Sequence, residues 1–129
     1  RKKINRHWVL TGVKIKSVQL KFYVDDRKAL VLFQIDHKND LERYRVYECF
    51  LSYRKLMAAD CGEELKWEED YTGIDGRVVS AVYFELPDVS IYRQTDWETI
   101  YAFFAGKMPL LEEAYWEYRD LITERLKGE

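Results

Sequence analysis

The chain has 129 residues, 47% of them hydrophobic and 34% charged, and its formal net charge is -2. A chain of this size and composition can bury its own apolar core as one domain, so it needs neither disulfides nor a metal to fold. Its apolar runs, such as 29–33, are all far shorter than the roughly 20 residues of a membrane-spanning helix, and we therefore predict no membrane span.

The two cysteines, Cys49 and Cys61, do not form a Cys-x-x-Cys motif. We expect both to be reduced thiols in a cytoplasmic protein. The chain begins at Arg1 rather than Met, from which we predict a single domain over residues 1–129 that a further N-terminal segment precedes.

The first predicted element is a β-hairpin. Apolar and polar residues alternate over 17–25, and a second apolar run follows over 29–36 after Asp26 and Arg27. A two-residue turn at Asp26 and Arg27 brings all the apolar side chains to one face of the hairpin. The pairs predicted by this register are Val18 with Ile35, Leu20 with Phe33, Phe22 with Val31, and Val24 with Ala29.

A central helix is predicted next, with Asp40 as its N-cap and Cys61-Gly62 at its end. We expect it to pack on the sheet through one side. That side is predicted to contain Leu41, Tyr44, Tyr47, Leu51, Arg54 and Met57.

A second hairpin follows the helix. Residues 65–71 alternate in polarity, 73–76 supply a four-residue turn, and 77–86 return. The predicted pairs are Leu65 with Phe84, Trp67 with Val82, and Tyr71 with Val78. After Pro87, residues 89–92 are predicted to form a further short strand.

The C-terminal segment is predicted to be helical, because Thr95 and Glu98 have the spacing of a capping box. Large apolar residues then recur at steps of four and three: Trp97, Tyr101, Phe104, Met108, Leu111, Tyr115, Tyr118 and Ile122. Gly106 and Pro109 interrupt the pattern, since proline removes a backbone donor. Either one kinked helix covers 96–126, or two helices meet at 105–109.

These elements predict an α+β fold. It consists of a mainly antiparallel sheet of about five strands, from two hairpins plus a short strand, packed by a central helix and a long or kinked C-terminal helical unit.

Several apolar residues lie off the main stripe of the C-terminal segment. A helix with apolar residues on more than one side is either deeply buried or contacts a partner. We predict a protein partner or a second copy of the chain on this helical surface, bound by Phe103, Leu110, Trp116 and Leu121.

One combination of residues suggests an enzyme. Asp36 and Lys38 form an Asp-x-Lys motif, and Asp26 lies ten residues upstream, as in nucleases in which carboxylates hold Mg²⁺ and a lysine activates water. In the predicted register, however, Asp26 and Asp36 are roughly 30 Å apart along the strand at ~3.3 Å per residue. We therefore assign no catalytic residue, metal site or cofactor, and retain a metal-dependent nuclease as an alternative.

A third alternative is nucleic-acid binding. Residues 1–28 contain nine Lys or Arg and two Asp, and Lys14, Lys16 and Lys21 are the candidates for phosphate contact. Aromatic residues on the strands can also stack on single-stranded bases, although core packing explains them more simply. These aromatic residues are Trp67, Tyr71, Tyr83 and Tyr92.

The sequence resembles one known family over nearly its whole length. The residues that carry the resemblance are Trp8, 11–14, the strand 89–92, Asp96-Trp97, Ile100, Phe103-Phe104 and Trp116. The family is the bacterial and archaeal domain of unknown function 4268, which brings no biochemical activity with it. The resemblance implies an accessory role in DNA processing or defence, because relatives are expected to follow a nuclease-type domain.

Overall fold

Five antiparallel strands form one sheet in the computed structural model, which describes residues 6–9, 18–73 and 75–127. The strands are β1 (Arg6–Val9), β2 (Val18–Val24), β3 (Lys28–Ile35), β4 (Lys66–Thr72) and β5 (Val78–Pro87). The helices are α1 (Asp40–Leu51), α2 (Arg54–Cys61) and α3 (Trp97–Lys127). The sheet order is β1-β2-β3-β5-β4, so the predicted α+β class with an antiparallel sheet is correct.

The first hairpin has the predicted register. Val18 lies opposite Ile35 and Val24 lies opposite Ala29, and the register between these pairs is continuous. The alternating pattern and the short turn specify the same pairing, so nothing competes with it.

The second hairpin agrees with the prediction only in its first half. Trp67 lies opposite Val82 as predicted, but the register shifts between Glu68 and Tyr71. Tyr71 consequently lies opposite Val79 rather than Val78. A β-bulge of this kind inserts one extra residue into one strand.

The predicted strand at 89–92 is wrong. Val89 and Ile91 instead donate single hydrogen bonds to the carbonyls of Arg27 and Asp25 in the β2–β3 turn, at 3.2 Å and 2.9 Å. The remaining strand of the sheet is β1, which pairs with β2 and which the sequence pattern did not indicate.

The predicted central helix is two helices, and its N-cap is Asn39 rather than Asp40. The Asn39 side chain accepts a hydrogen bond from the backbone N–H of Glu42 at 3.1 Å. The predicted packing side is only partly correct, because Tyr47 and Met57 are buried whereas Leu41 is 78% exposed and Arg54 is also exposed. The buried residues of α1 are Arg43, Val46, Tyr47, Cys49 and Phe50.

The C-terminal segment is one continuous helix with Pro109 inside it, which decides between the two alternatives. Its second half has the predicted stripe, since Met108, Leu111, Tyr115, Tyr118 and Ile122 are all buried. Its first turns differ. Trp97 and Tyr101 are 41% and 66% exposed, and Ile100 is buried in their place against Val24, Ala29 and Val89.

The helices cover one face of the sheet and form the main core there. On the other face, Leu30, Leu32, Ala81 and Tyr83 form a separate apolar cluster, against which Tyr23 and Tyr71 pack. Within the part of the chain that the structure describes, no helix is both long enough and apolar enough to cross a membrane.

Candidate functional site

The residues of the nuclease-like motif do not come together. Asp26 lies in the turn before β3 and Asp36 follows the end of β3, so the whole eight-residue strand separates them. Asp36 forms an ion pair with Arg77. Among the residues described, no group of three or more His, Cys, Asp or Glu side chains is placed to hold a metal ion.

The carboxylate that organises this turn is Asp25, which sequence reasoning did not single out. Its side chain is 7% exposed and accepts three hydrogen bonds, from the Tyr23 hydroxyl at 2.7 Å and the backbone N–H groups of Arg27 and Lys28 at 2.8 Å and 2.9 Å. Burial alone raises the pKa of the Asp25 carboxyl, but these three donors outweigh it and lower the pKa below the ordinary value. Asp25 therefore carries a stable, internally satisfied negative charge.

Of the three lysines proposed for nucleic-acid contact, Lys14 and Lys16 lie outside the described residues. Lys21 lies on β2, on the sheet face opposite the helices, and lines a cavity of about 290 Å³ that we call the sheet-face pocket. The pocket is lined by Lys21, Tyr23, Asp25, Lys28, Leu32, Gln34, Tyr71, Thr72 and Gly73. One of the three predicted residues is thus part of a cavity with other polar side chains.

The sheet-face pocket combines a mixed floor of one apolar and one amide side chain with polar ends. Leu32 and Gln34 are buried beneath it, and the Tyr71 ring packs 6.0 Å from that of Tyr83. Burial lowers the pKa of the Lys21 ammonium, Asp75 partly opposes this effect, and Arg77 adds to it. Burial and the hydrogen bond to Asp25 raise the pKa of Tyr23, which stays protonated. The pocket therefore offers aromatic faces and a partly dehydrated ammonium group.

The four residues predicted to bind a partner divide into two groups. Phe103, Leu110 and Trp116 are partly buried and pack against the main core, whereas Leu121 is 51% exposed. Burial within the chain thus explains most of this second apolar set. Whether the four residues bind a partner stays a prediction.

A different set of apolar residues faces solvent on α3. Tyr101, Ala105 and Pro109 are exposed and follow one another at steps of four, which places them on neighbouring turns. Because proline has no N–H, the carbonyl of Ala105 lacks its normal helical donor at Pro109. Tyr101 was assigned to the buried stripe from its spacing, so sequence reasoning missed its exposure.

Exposed acidic residues surround these apolar side chains. Together they form what we call the outer face of α3: Glu98, Tyr101, Ala105, Pro109, Glu112, Glu113, Glu117 and Asp120. The basic side chains described on α3 bind other groups. Lys107 donates a hydrogen bond to Glu63 at 3.0 Å, and Arg125 donates one to Ser52 at 2.9 Å. Arg119 stacks 3.9 Å from the centre of the Trp116 ring. The outer face is therefore apolar along its middle and acidic along its length.

A further acidic contact lies where α2 meets α3. The hydroxyl of Tyr118 donates to the Asp60 carboxylate at 2.7 Å, and Glu113 and Glu117 line a small cavity with Asp60. A hydrogen bond shared with Asp60 raises the pKa of the exposed Glu117 carboxyl, and the charges of Asp60 and Glu113 add to that effect. This close approach of like charges marks an acidic surface, on which Asp120 forms an ion pair with Arg119 at 3.0 Å.

Comparison with known proteins gives one match. The model of the family described as "Domain of unknown function (DUF4268)" matches residues 1–119 of the chain. No curated protein and no solved structure matches.

Proposed function

The chain belongs to the DUF4268 family, and we propose that it acts as a protein-interaction domain that binds a basic, amphipathic segment of a partner protein. The contact surface in this proposal is the outer face of α3. The observation that carries the proposal is the placement of exposed Tyr101, Ala105 and Pro109 among exposed carboxylates on one helix face.

The exposed side chains of Tyr101, Ala105 and Pro109 are not part of the main core. The opposite side of α3 already buries Met108, Leu111 and Tyr115 against the sheet and the other helices. Tyr101 in particular is 66% exposed, and a large aromatic side chain in that position gains free energy when another surface covers it. Tyrosine is also among the residues that contribute most to protein interfaces.

Charge supports a basic occupant. A partner whose Lys or Arg residues face Glu98, Glu112 and Glu113 gains attraction, whereas an acidic partner is repelled. A second copy docked through the same face would place carboxylates opposite carboxylates, which disfavours the homodimer among the predicted partners. We therefore propose a partner protein or a basic neighbouring domain rather than self-association.

The proposal agrees with the accessory role that the family resemblance implied. Proteins that act on DNA commonly carry basic segments, and such a segment could be the partner of this acidic face. For the location of the domain we propose the cytoplasm. Cys49 and Cys61 are both buried thiols, which suits a reducing compartment.

A pair of helical peptides tests the surface. One is an amphipathic Leu/Lys helix of about 18 residues, or five turns, and the other is a Leu/Glu helix with the same apolar pattern. Each is titrated into the protein by fluorescence anisotropy at about 50 mM and about 300 mM NaCl. We expect the basic peptide to bind at low salt and more weakly at high salt, and the acidic peptide not to bind.

Substitutions locate the contact. Tyr101→Ala and the triple change Glu98→Gln, Glu112→Gln, Glu113→Gln should each weaken binding of the basic peptide by about ten-fold at low salt. The matched controls are Leu56→Ala, which removes an exposed apolar residue of α2, and Glu48→Gln on α1. Equal affinity for all four proteins would disprove the role of the outer face. A concentration-dependent dimer that Tyr101→Ala dissociates would instead favour self-association.

A further inference from the structure

We propose that the sheet-face pocket binds a nucleotide within a single strand of nucleic acid, with a base against Tyr71 and phosphates at Lys21 and Lys28. This site lies on the face of the sheet opposite the helices and is independent of the outer face of α3. The chemistry that recommends it is the combination of aromatic side chains and lysines around one cavity.

The size of the pocket fits a base. A cavity of about 290 Å³ lies at the lower end of the range for small-molecule sites, so it can accept one planar ring system but not a large ligand. Tyr71 is half-buried at its edge, and Leu32 is buried below it. Such a floor and wall suit stacking, which depends little on the identity of the base.

Gln34 adds a polar group to the floor. Its side chain is 7% exposed, and among the described residues its amide nitrogen donates one long hydrogen bond, 3.4 Å, to Gln19. An amide can donate to and accept from the edge of a base, so Gln34 can exchange this long bond for a better one.

The two lysines lie at opposite ends of the pocket. Lys28 is beside Asp25, its hairpin partner across the turn, and Asp25 follows Lys21 by four residues of an extended strand, or about 13 Å at ~3.3 Å per residue. This is a separation along the backbone, and both lysine side chains are long enough to reach inward from their ends of the pocket. A sugar-phosphate backbone can therefore present one phosphate to each ammonium group, on either side of the bound base.

The acidic residue of the pocket does not oppose this arrangement. Asp25 accepts three hydrogen bonds from Tyr23, Arg27 and Lys28, so both of its oxygens are already occupied by donors. Among the ion pairs of the described residues, none includes Lys21 or Lys28. Asp75 and Asp25 act on Lys21 and Lys28 only through longer-range attraction, so each ammonium group can still contact a phosphate.

A duplex does not fit the proposal. A base can enter a pocket only when it is unstacked from its neighbours, which a single strand allows at much lower cost than a double helix. Binding should thus favour single-stranded over double-stranded DNA of the same sequence.

The test measures fluorescence anisotropy of a labelled oligothymidylate of about ten nucleotides at several salt concentrations. Unlabelled duplex DNA, single-stranded RNA and thymidine monophosphate serve as competitors. We expect the single strands to compete well and the duplex poorly. If the monophosphate competes as strongly as the oligonucleotide, the pocket binds free nucleotides, and the second phosphate contact is wrong.

Variants assign the binding to the pocket. Lys21→Gln and Lys28→Gln should each weaken oligonucleotide binding and reduce the slope of log K against log salt by about 0.7. Tyr71→Ala should weaken binding by about ten-fold or more, whereas Tyr71→Phe keeps the ring and should bind like the wild type.

Two controls separate this site from the rest of the surface. Lys55→Gln removes an exposed lysine of α2, and Tyr101→Ala removes an exposed tyrosine of α3, so neither should change oligonucleotide affinity. Circular dichroism confirms that each variant is folded. Wild-type affinity in Lys21→Gln, Lys28→Gln and Tyr71→Ala, or no binding by the wild type at about 50 mM NaCl, overturns the proposal.

Discussion

Arg43 on α1 donates a 2.6 Å hydrogen bond to the backbone carbonyl of Glu69 on β4, although the Arg43 side chain is only 2% exposed. The same guanidinium also donates to the Ser80 hydroxyl at 2.9 Å and to the Asp70 carboxylate at 3.0 Å. Glu69 and Asp70 lie within the bulge of the second hairpin. The bulge therefore supplies two of the acceptors to which the buried guanidinium donates.

The first prediction concerns this arginine. Arg43→Ala should lower the free energy of unfolding by at least about 2 kcal/mol, because charged hydrogen bonds are lost and a cavity is left. Arg43→Met, which keeps most of the volume without the charge, should cost less. Urea denaturation measures both values. Arg54→Ala, an exposed arginine on α2, is the control and should change stability by less than about 0.5 kcal/mol.

The bulge also shows why one hairpin was predicted in full and the other only in part. In the first hairpin, local alternation and a two-residue turn determine every pair. In the second, the residues of the bulge contact Arg43, which is 26 residues from Glu69 in the chain. Local alternation of polar and apolar residues cannot predict a contact between residues so far apart in the chain.

The same reasoning applies to the candidate sites. Spacing assigned Tyr101 to the buried stripe of α3, yet Ile100 packs against the cluster of Val24, Ala29 and Val89 at the end of the sheet. The orientation of a helix on a sheet determines which residue of each turn is buried. The periodicity of the sequence does not specify that orientation. Lys21 could be predicted as a strand residue. Its place in one pocket with Tyr71, however, depends on the order of the strands in the sheet, which brings side chains of β2 and β4 to the same face.

The second prediction concerns Asp25 and pH. Because its folded pKa is lowered, the ionised carboxylate adds stability above its ordinary pKa of 3.8, and this stability is lost as pH falls towards the lower folded value. Asp25→Asn cannot accept all three hydrogen bonds and should lower stability at pH 7 by about 1–3 kcal/mol. Thermal unfolding from neutral to acidic pH should show the gap between wild type and variant narrowing below pH 3.8. A constant gap at all pH values contradicts this explanation.

The third prediction concerns Glu117, whose pKa is shifted in the opposite direction to that of Asp25. The pKa of Glu117 is raised above its ordinary value of 4.5, so the folded protein binds this proton more tightly than the unfolded chain does. Stability must then fall as pH rises from 4.5 through the raised folded value, and the deficit persists at pH 7. Glu117→Gln should raise the melting temperature at neutral pH and make no such difference at acidic pH. Glu48→Gln is the control, and an unchanged melting temperature in Glu117→Gln would count against close carboxylates at this site.

The fourth prediction compares a glycine within a helix with a glycine that ends one. A Cβ at Gly106, within α3, meets no atom within 4 Å, so Gly106→Ala should raise the free energy of unfolding by about 0.5–1 kcal/mol through its effect on backbone entropy. Gly62 also has free space, but it ends α2 in the left-handed conformation with φ 77°. Gly62→Ala should therefore lower stability by about 1 kcal/mol.

Urea denaturation of the two variants separates the effect of steric space from the effect of backbone conformation. Both sites have room for a methyl group, so any difference in stability between the variants comes from the backbone conformation. Opposite signs are expected only if α3 is helical through Gly106 and Pro109. If the chain formed two helices joined at 105–109, Gly106 would serve the junction, and Gly106→Ala would be neutral or destabilising. The sign at Gly106 thus tests the continuity of the helix that presents Tyr101 and its surrounding carboxylates to solvent.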